Sequence, residues 1–172
     1  NGVWDALIGK FSFAGEFRKQ ALSTNRADIG APIRYSNDYV IQYTNSWQNW
    51  HWRTAATTQI YNDKNTFIAH RESFFRLNPQ ISLQKSLADD ASTFIGLHYK
   101  QTMRLPNFNE LYYSQIGNTA LLPEDAHQLS LELAWHKKIN QTSFSLQPNI
   151  YFNQIQNKII ALPTQNLFVW SI

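Results

Sequence analysis

The sequence predicts an all-β protein, an antiparallel up-and-down meander of about seven to eight strands. Three observations carry that expectation. Seven segments alternate apolar and polar residues with a period of two. Aromatic residues reach 15% while charged residues make up only 16%, with Asn, Gln, Ser and Thr filling the difference, a mixture that suits a sheet wetted on one face and packed against apolar material on the other. The connections between the segments take turns, short then long.

The first segment sets Leu7, Phe11, Phe13 and Phe17, with Gly9 and Gly15, against Lys10, Ser12, Glu16 and Arg18. The second lies near Tyr39, Ile41 and Tyr43, opposed by Gln42, Thr44 and Ser46. The third opposes Trp50, Trp52, Thr54, Ala56, Thr58 and Ile60 to His51, Arg53, Thr57, Gln59 and Tyr61; the fourth opposes Phe75, Leu77, Ile81 and Leu83 to Arg76, Asn78, Gln80, Ser82 and Gln84. Thr93, Ile95, Leu97 and Tyr99 mark the fifth, and Leu129, Leu131, Leu133 and Trp135 the sixth. The seventh sets Phe144, Leu146, Ile150 and Phe152 against Ser145, Gln147, Asn149, Tyr151 and Asn153. Pro79 and Pro148 fall inside strand patterns, where each removes a ladder donor and predicts a bulge or a strand end.

Several segments exceed the mean strand length of globular proteins, about 5–6 residues, which favours a barrel wall. Short connections are expected at Trp47 to Asn49, Ala88 to Ala91 and Lys137 to Gln141. Long ones are expected at Lys19 to Asn37, Asn62 to Arg71, Leu105 to Glu124 and from Gln156 onward. Strict alternation of this kind is the pattern of an outer-membrane barrel, with short periplasmic turns and longer extracellular loops. In that frame Arg18, Arg53, Arg76, His98, Lys100, Glu132 and His136 point into a lumen, the apolar faces meet lipid, and Trp47, Trp50 and Trp52 form part of an interfacial aromatic girdle.

Other classes find little support. No run of about 18 apolar residues offers a transmembrane helix, and no N-terminal stretch resembles a signal peptide. Cysteine is absent, so thiolate metal sites and disulfides are too. A formal charge of +3, dispersed along the chain, leaves no nucleic-acid footprint. His51, His98 and His136 share a polar side, but nothing in their spacing brings them into one coordination sphere, so no metal and no cofactor are expected. Glu110 and Glu132 lack a cleft that would make them a hydrolytic pair, and no nucleophile elbow or phosphate-cradling loop occurs; an enzyme is not expected and no catalytic residue is assigned.

Between the fifth and sixth segments stands the most specific motif: Arg104-Leu105-Pro106-Asn107-Phe108-Asn109-Glu110-Leu111-Tyr112, then Gly117-Asn118 and Leu122-Pro123-Glu124. It resembles a signature of TonB-dependent outer-membrane receptors, in which a strand ends in Arg-x-Pro-x-Phe-x-Glu-Leu-Tyr before a loop carrying Gly-Asn and Leu-x-Pro-Glu. The resemblance implies that residues 1–172 form part of a transmembrane β-barrel of about 22 strands, with the plug domain and the final strands outside them. It implies TonB and the plug as partners, outer-membrane lipid as surroundings, and energised uptake of a nutrient such as a siderophore, cobalamin or an oligosaccharide.

Candidate cargo contacts in the long loops are Arg26, Arg34, Tyr112, Tyr113 and Gln115. The competing reading of the signature is structural, with Pro106, Gly117, Asn118 and Pro123 shaping the loop while Glu110 and Glu124 brace it. Isolated, such a segment is expected to self-associate through its strand edges. Two further readings are a passive porin-like channel and a soluble β-sandwich or barrel that binds carbohydrate or lipid.

Overall fold

The computed structural model describes residues 2–6, 9–25, 29–65, 70–88, 93–113, 117–160, 162–163 and 170–171; in 2–6, 70–72, 162–163 and 170–171 it describes the backbone alone. The chain is all-β, with eight antiparallel strands in one open sheet in meander order. They are β1 (Gly2–Ala6), β2 (Gly9–Ala21), β3 (Pro32–Trp47), β4 (Trp50–Asn65), β5 (His70–Ser86), β6 (Phe94–Arg104), β7 (Glu124–Ile139) and an eighth divided into β8 (Thr142–Leu146) and β9 (Asn149–Gln156). A single short helix among the described residues, α1 (Phe108–Tyr112), sits between β6 and β7, and β10 (Leu162–Pro163) pairs with β11 (Trp170–Ser171).

Residues paired across antiparallel strands share a face, so register alone sorts the side chains. One row runs Phe11, Tyr43, Thr54, Ile81, Tyr99, Leu129, Phe152 and belongs to the apolar face; the adjacent row runs Lys10, Thr44, Arg53, Ser82, His98, Ser130, Tyr151 and belongs to the polar face. Arg18, Arg76, Lys100, Glu132 and His136 fall on this polar face as well.

The apolar face is not a core. Phe75, Ile150 and Phe152 are 70%, 72% and 65% exposed, whereas the buried hydrophobic residues among those described are Ile29, Leu111, Tyr112 and Ala134. At its lower rim Trp47 and Trp50 face each other across the Gln48–Asn49 turn, where Gln48 adopts φ 52°, and Lys85 Nζ lies 5.2 Å from the Trp50 ring.

This apolar band runs obliquely to the ladders. Glu132, midway along the Leu129–Trp135 run of β7, leads through Gly96, Gln84 and His51 to Ser46. Ser46 lies two residues past Thr44, the partner of Lys10, and Lys10 is four residues from Ala14, midway along the Phe11–Phe17 run of β2. Over five steps between strands the band therefore drifts by roughly six residues, which at about 3.3 Å per residue and about 4.8 Å between strands is a tilt of about 35–40°.

Several expectations are corrected. β1 lacks enough alternation to be read from sequence, yet pairs with β2 from Gly2–Phe13 to Ala6–Gly9. Leu7, expected in the first strand, lies outside the described residues. The long loop expected at Asn62 to Arg71 shrinks to residues 66–69, because polar residues up to Asn65 continue the β4–β5 ladder. The next connection, residues 87–93, is longer than the expected Ala88 to Ala91.

Neither proline makes a bulge. Pro79 pairs with Ala56 inside a continuous β5, but on the opposite side the β5–β6 ladder stops one residue short of it, at Gln80–Lys100. A residue with no N–H ends one ladder without breaking the other. Above this point β5 and β6 part, and Arg76 on β5 pairs with Asp125 on β7, which also accepts from Gln101 Nε2 at 2.9 Å. Pro148 separates β8 from β9, but two residues there oppose two on β7, so register is kept.

Candidate functional site

Arg104 and Glu124 are the last residues of β6 and the first of β7, and they pair directly. Both lie beyond Tyr99 and Leu129, the upper limit of the apolar band on these strands. The guanidinium forks over Glu124, with Nε 2.8 Å from Oε2 and Nη2 3.1 Å from Oε1, while Nη1 reaches Glu110 Oε1 and Oε2 at 3.1 and 3.0 Å. Pro106 is buried and disfavours helix at Leu105, so α1 starts only after it. Asn107 caps the helix: its Oδ1 accepts from Glu110 N at 2.9 Å, and its own N–H donates to Glu110 Oε2 at 2.7 Å. Glu110 thus closes a capping box and an ion pair at once.

The network continues past the loop. Ile159 N donates to Glu124 Oε1 at 2.6 Å, and Asn157 Nδ2 donates to the Pro123 carbonyl at 3.3 Å. One arginine therefore joins the end of β6, α1, the start of β7 and the segment after β9. The hydrogen bond from Arg104 holds the Glu124 carboxyl below its ordinary range, and the Glu124 hydrogen bond raises the Arg104 guanidinium further above its own. Because Glu124 is depressed in the folded state, its stabilisation is full above the ordinary carboxylate range and is lost as acid protonates the folded group. We expect the hydrogen-exchange protection factors of Glu110, Leu111 and Ile159, taken relative to the free-peptide rate at each pH, to fall on acidification below about pH 4, and Arg104→Gln to flatten that dependence.

Leu111 and Tyr112 turn inward and pack with Ile29 from the β2–β3 connection, with Leu22, Phe108 and Leu121 at the margin. Downstream, Gly117 N donates to the Tyr113 carbonyl at 2.6 Å and Asn118 N to the Glu110 carbonyl at 2.8 Å. Asn118 Oδ1 accepts from Ala120 N at 2.9 Å, while Leu122 stays exposed. A Cβ on Gly117 would lie 2.6 Å from Tyr113 N and 2.9 Å from the Leu111 carbonyl oxygen, both backbone atoms that cannot step aside. Gly117→Ala is therefore expected to destabilise the loop by about 1–3 kcal/mol, read as faster proteolysis between Tyr113 and Leu121.

A second polar centre lies beneath the loop. Arg34 and Asp63 are directly paired on β3 and β4, with Nε–Oδ1 at 2.7 Å and Nη2–Oδ2 at 2.5 Å, and both are buried. The Phe108 ring stands 5.3 Å from the guanidinium carbon, so the signature loop roofs this pair. Alongside, Asn65 Nδ2 donates to the Ile29 carbonyl at 2.9 Å, next to Gly30 with φ 74°.

The candidate cargo contacts are accordingly dispersed in character. Arg34 is committed to Asp63, Tyr112 is buried in the loop core, and Tyr113 is 41% exposed. Arg26 and Gln115 lie outside the described residues. The structure brings Arg34 and the signature loop together, a proximity absent from the sequence. Asp63 and Asn65 were not anticipated, nor was the contact of Asn157 and Ile159 with the start of β7; a carboxylate opposite an arginine is visible only once register is known.

His51, His98 and His136 do not converge. His51 Nδ1 contacts Ser46 Oγ at 2.8 Å, His98 sits between Ser82 and Glu132, and His136 contacts Gln147. Among the described residues no group of three or more His, Asp or Glu side chains could hold a metal ion. No family model matches the chain and no curated protein matches it. The functional reading therefore rests on the residues and their geometry.

Proposed function

We propose that this chain is a section of the transmembrane barrel of a TonB-dependent outer-membrane receptor, the 22-stranded type, working in energised uptake of a small nutrient. The observation that carries the reading is the tilted, exposed apolar band set back to back with a polar face. Transmembrane barrel strands tilt by about 35–45° and carry an apolar band about 25 Å tall on the lipid side; the drift of the band across β2–β7 corresponds to such a tilt. A horizontal hydrocarbon layer produces that drift, because it cuts each tilted strand at a different register.

The loop adds support. The Arg104, Glu110 and Glu124 network gives the signature residues a shared purpose, tying α1 to both ends of the β6–β7 connection on the side opposite the Trp47–Trp50 turn. In this reading that side is extracellular, outer-membrane lipid covers the apolar face, and the plug and TonB belong to the complete receptor. A soluble binding module would close its apolar face into a private core, which the open sheet does not do.

Leu97 and His98 are neighbours on opposite faces of β6, and the chain has no cysteine of its own. With the chain folded in lipid bilayers, His98→Cys is expected to react with a membrane-impermeant maleimide while Leu97→Cys is protected. Equal labelling of both, or a detergent-free soluble monomer, would sink the membrane reading.

A further inference from the structure

One seam of the sheet is not closed by its ladder. β4 and β5 stay paired from Trp50–Lys85 up to Asn65–His70, and β6 and β7 from Phe94–Ala134 up to Arg104–Glu124. Between β5 and β6 the pairing covers only Ser86–Phe94 to Gln80–Lys100 and stops at Pro79, which has no N–H to give. Above that point residues 70–79 of β5 and 101–104 of β6 form no ladder with each other. The gap holds a concavity of about 190 Å³, lined by Asn78 and Gln80 on one side and by Lys100, Gln101, Thr102 and Met103 on the other.

Register assigns this lining to both faces. Asn78, Gln80, Lys100 and Thr102 belong to the polar face, Gln101 and Met103 to the apolar one, so the gap runs through the sheet. Arg76 and Asp125 meet across it. Arg76 lies opposite Gln59 on the polar face, whereas Asp125 lies opposite Met103 on the apolar face, and their ion pair joins β5 to β7 past the edge of β6. Side chains of opposite faces reach each other only where no hydrogen-bonded ladder stands between them. Asp125 is buried and also accepts from Gln101 Nε2 at 2.9 Å. Asn78 is buried too, and its Oδ1 has no partner among the described residues, although its Nδ2 donates to Gln59. Among the described residues no other hydrogen bond or ion pair links β5 above Pro79 to the β6–β7 hairpin.

We propose that the upper β5–β6 seam is an opening through the sheet, latched by the Arg76–Asp125 ion pair. With the pair made, the two hairpins stand together. With it broken, they part above Pro79 and the two faces communicate beside Asn78 Oδ1. The seam itself is a property of the sheet. Its use as a lateral passage through a membrane wall rests on the barrel reading above.

The test measures distances between spin labels in the folded chain, in bilayers or, should the chain prove soluble, in buffer. The labels sit on paired cysteines that replace exposed residues of the apolar face. Phe75→Cys with Gln154→Cys reads β5 against β9 on the latch side of Pro79. Leu83→Cys with Ile150→Cys reads the same two strands below it, along the single row Leu83, Leu97, Leu131, Ile150. One distance population is expected for each pair while the latch is intact. Arg76→Gln and, separately, Asp125→Asn should give the Phe75–Gln154 pair a second population longer by about 5 Å, one strand spacing, and leave the Leu83–Ile150 pair as it was. No second population in either variant overturns the proposal, and so does equal widening of both pairs, which is a general loosening of the sheet. Arg76→Gln, at a partly exposed position, decides the matter should Asp125→Asn fail to fold. The distances are read whether or not the apolar face meets lipid, so this experiment and the maleimide experiment fail separately.

Discussion

Asp63→Ala is expected to destabilise the loop end of the sheet by about 3–5 kcal/mol. Arg34 and Asp63 share two hydrogen bonds, and each side chain is less than one-tenth exposed. Removing the carboxylate leaves a guanidinium out of water with no counter-charge, and the cost is that stranded charge more than the lost bond. Phe108 roofs the pair, so the damage should spread from β3 and β4 into α1 and the Ile29, Leu111, Tyr112 cluster. Urea unfolding of the folded chain gives the magnitude, and hydrogen exchange at Ile33–Tyr35 and Leu111–Tyr112 locates it. A loss below about 1 kcal/mol would mean that the pair behaves as a solvent-screened surface contact. Replacing both partners with leucine should cost far less than Asp63→Ala, since no charge is then buried alone.

Leu97→Arg is expected to cost about 2–4 kcal/mol when the chain is folded in a lipid bilayer, the penalty for a cation near the hydrocarbon midplane on the lipid face. Leu97 is the middle residue of the Ile95, Leu97, Tyr99 run, flanked across the ladders by Leu83 and Leu131. His98→Arg, one residue on, faces the polar side and should cost about 1 kcal/mol or less, chiefly from its lost contact with Ser82. The ratio between the two substitutions is the informative quantity, because both sit on one strand and share its backbone. In a soluble module the same leucine would lie in a closed core. Solubility without detergent then accompanies the penalty and identifies that case.

Much of the architecture was legible because period two is a local signal. A strand wet on one face writes its own alternation, so Phe11–Phe17, Phe75–Leu83 and Leu129–Trp135 declared both their conformation and their faces. β1 did not, having too few residues to show a period. The top of β4, residues 62–65, and the start of β5, His70 and Arg71, were taken for loop because polar residues there continue a ladder whose stability comes from the partner strand. Pro79 was legible as a missing donor, but which of its two ladders would end depended on which neighbour it faced.

The candidate site divides along the same line. Arg104, Glu110, Gly117 and Glu124 stood out through the resemblance of their stretch to a receptor signature; the short helix α1 and the capping box that Glu110 closes were not read from the sequence. Arg34 and Asp63, 29 residues apart, did not stand out as a pair. Neither did the pairing of Glu124 with Ile159 N.

By itself the sequence determined an all-β meander with one apolar and one polar face and a long, proline-bounded loop between β6 and β7, since each follows from interactions between residues near in sequence. The tertiary structure alone decided which charges meet. Arg34, Arg76 and Arg104 find their carboxylates there, because partnership across a sheet is set by register, and register is a property of the assembled strands.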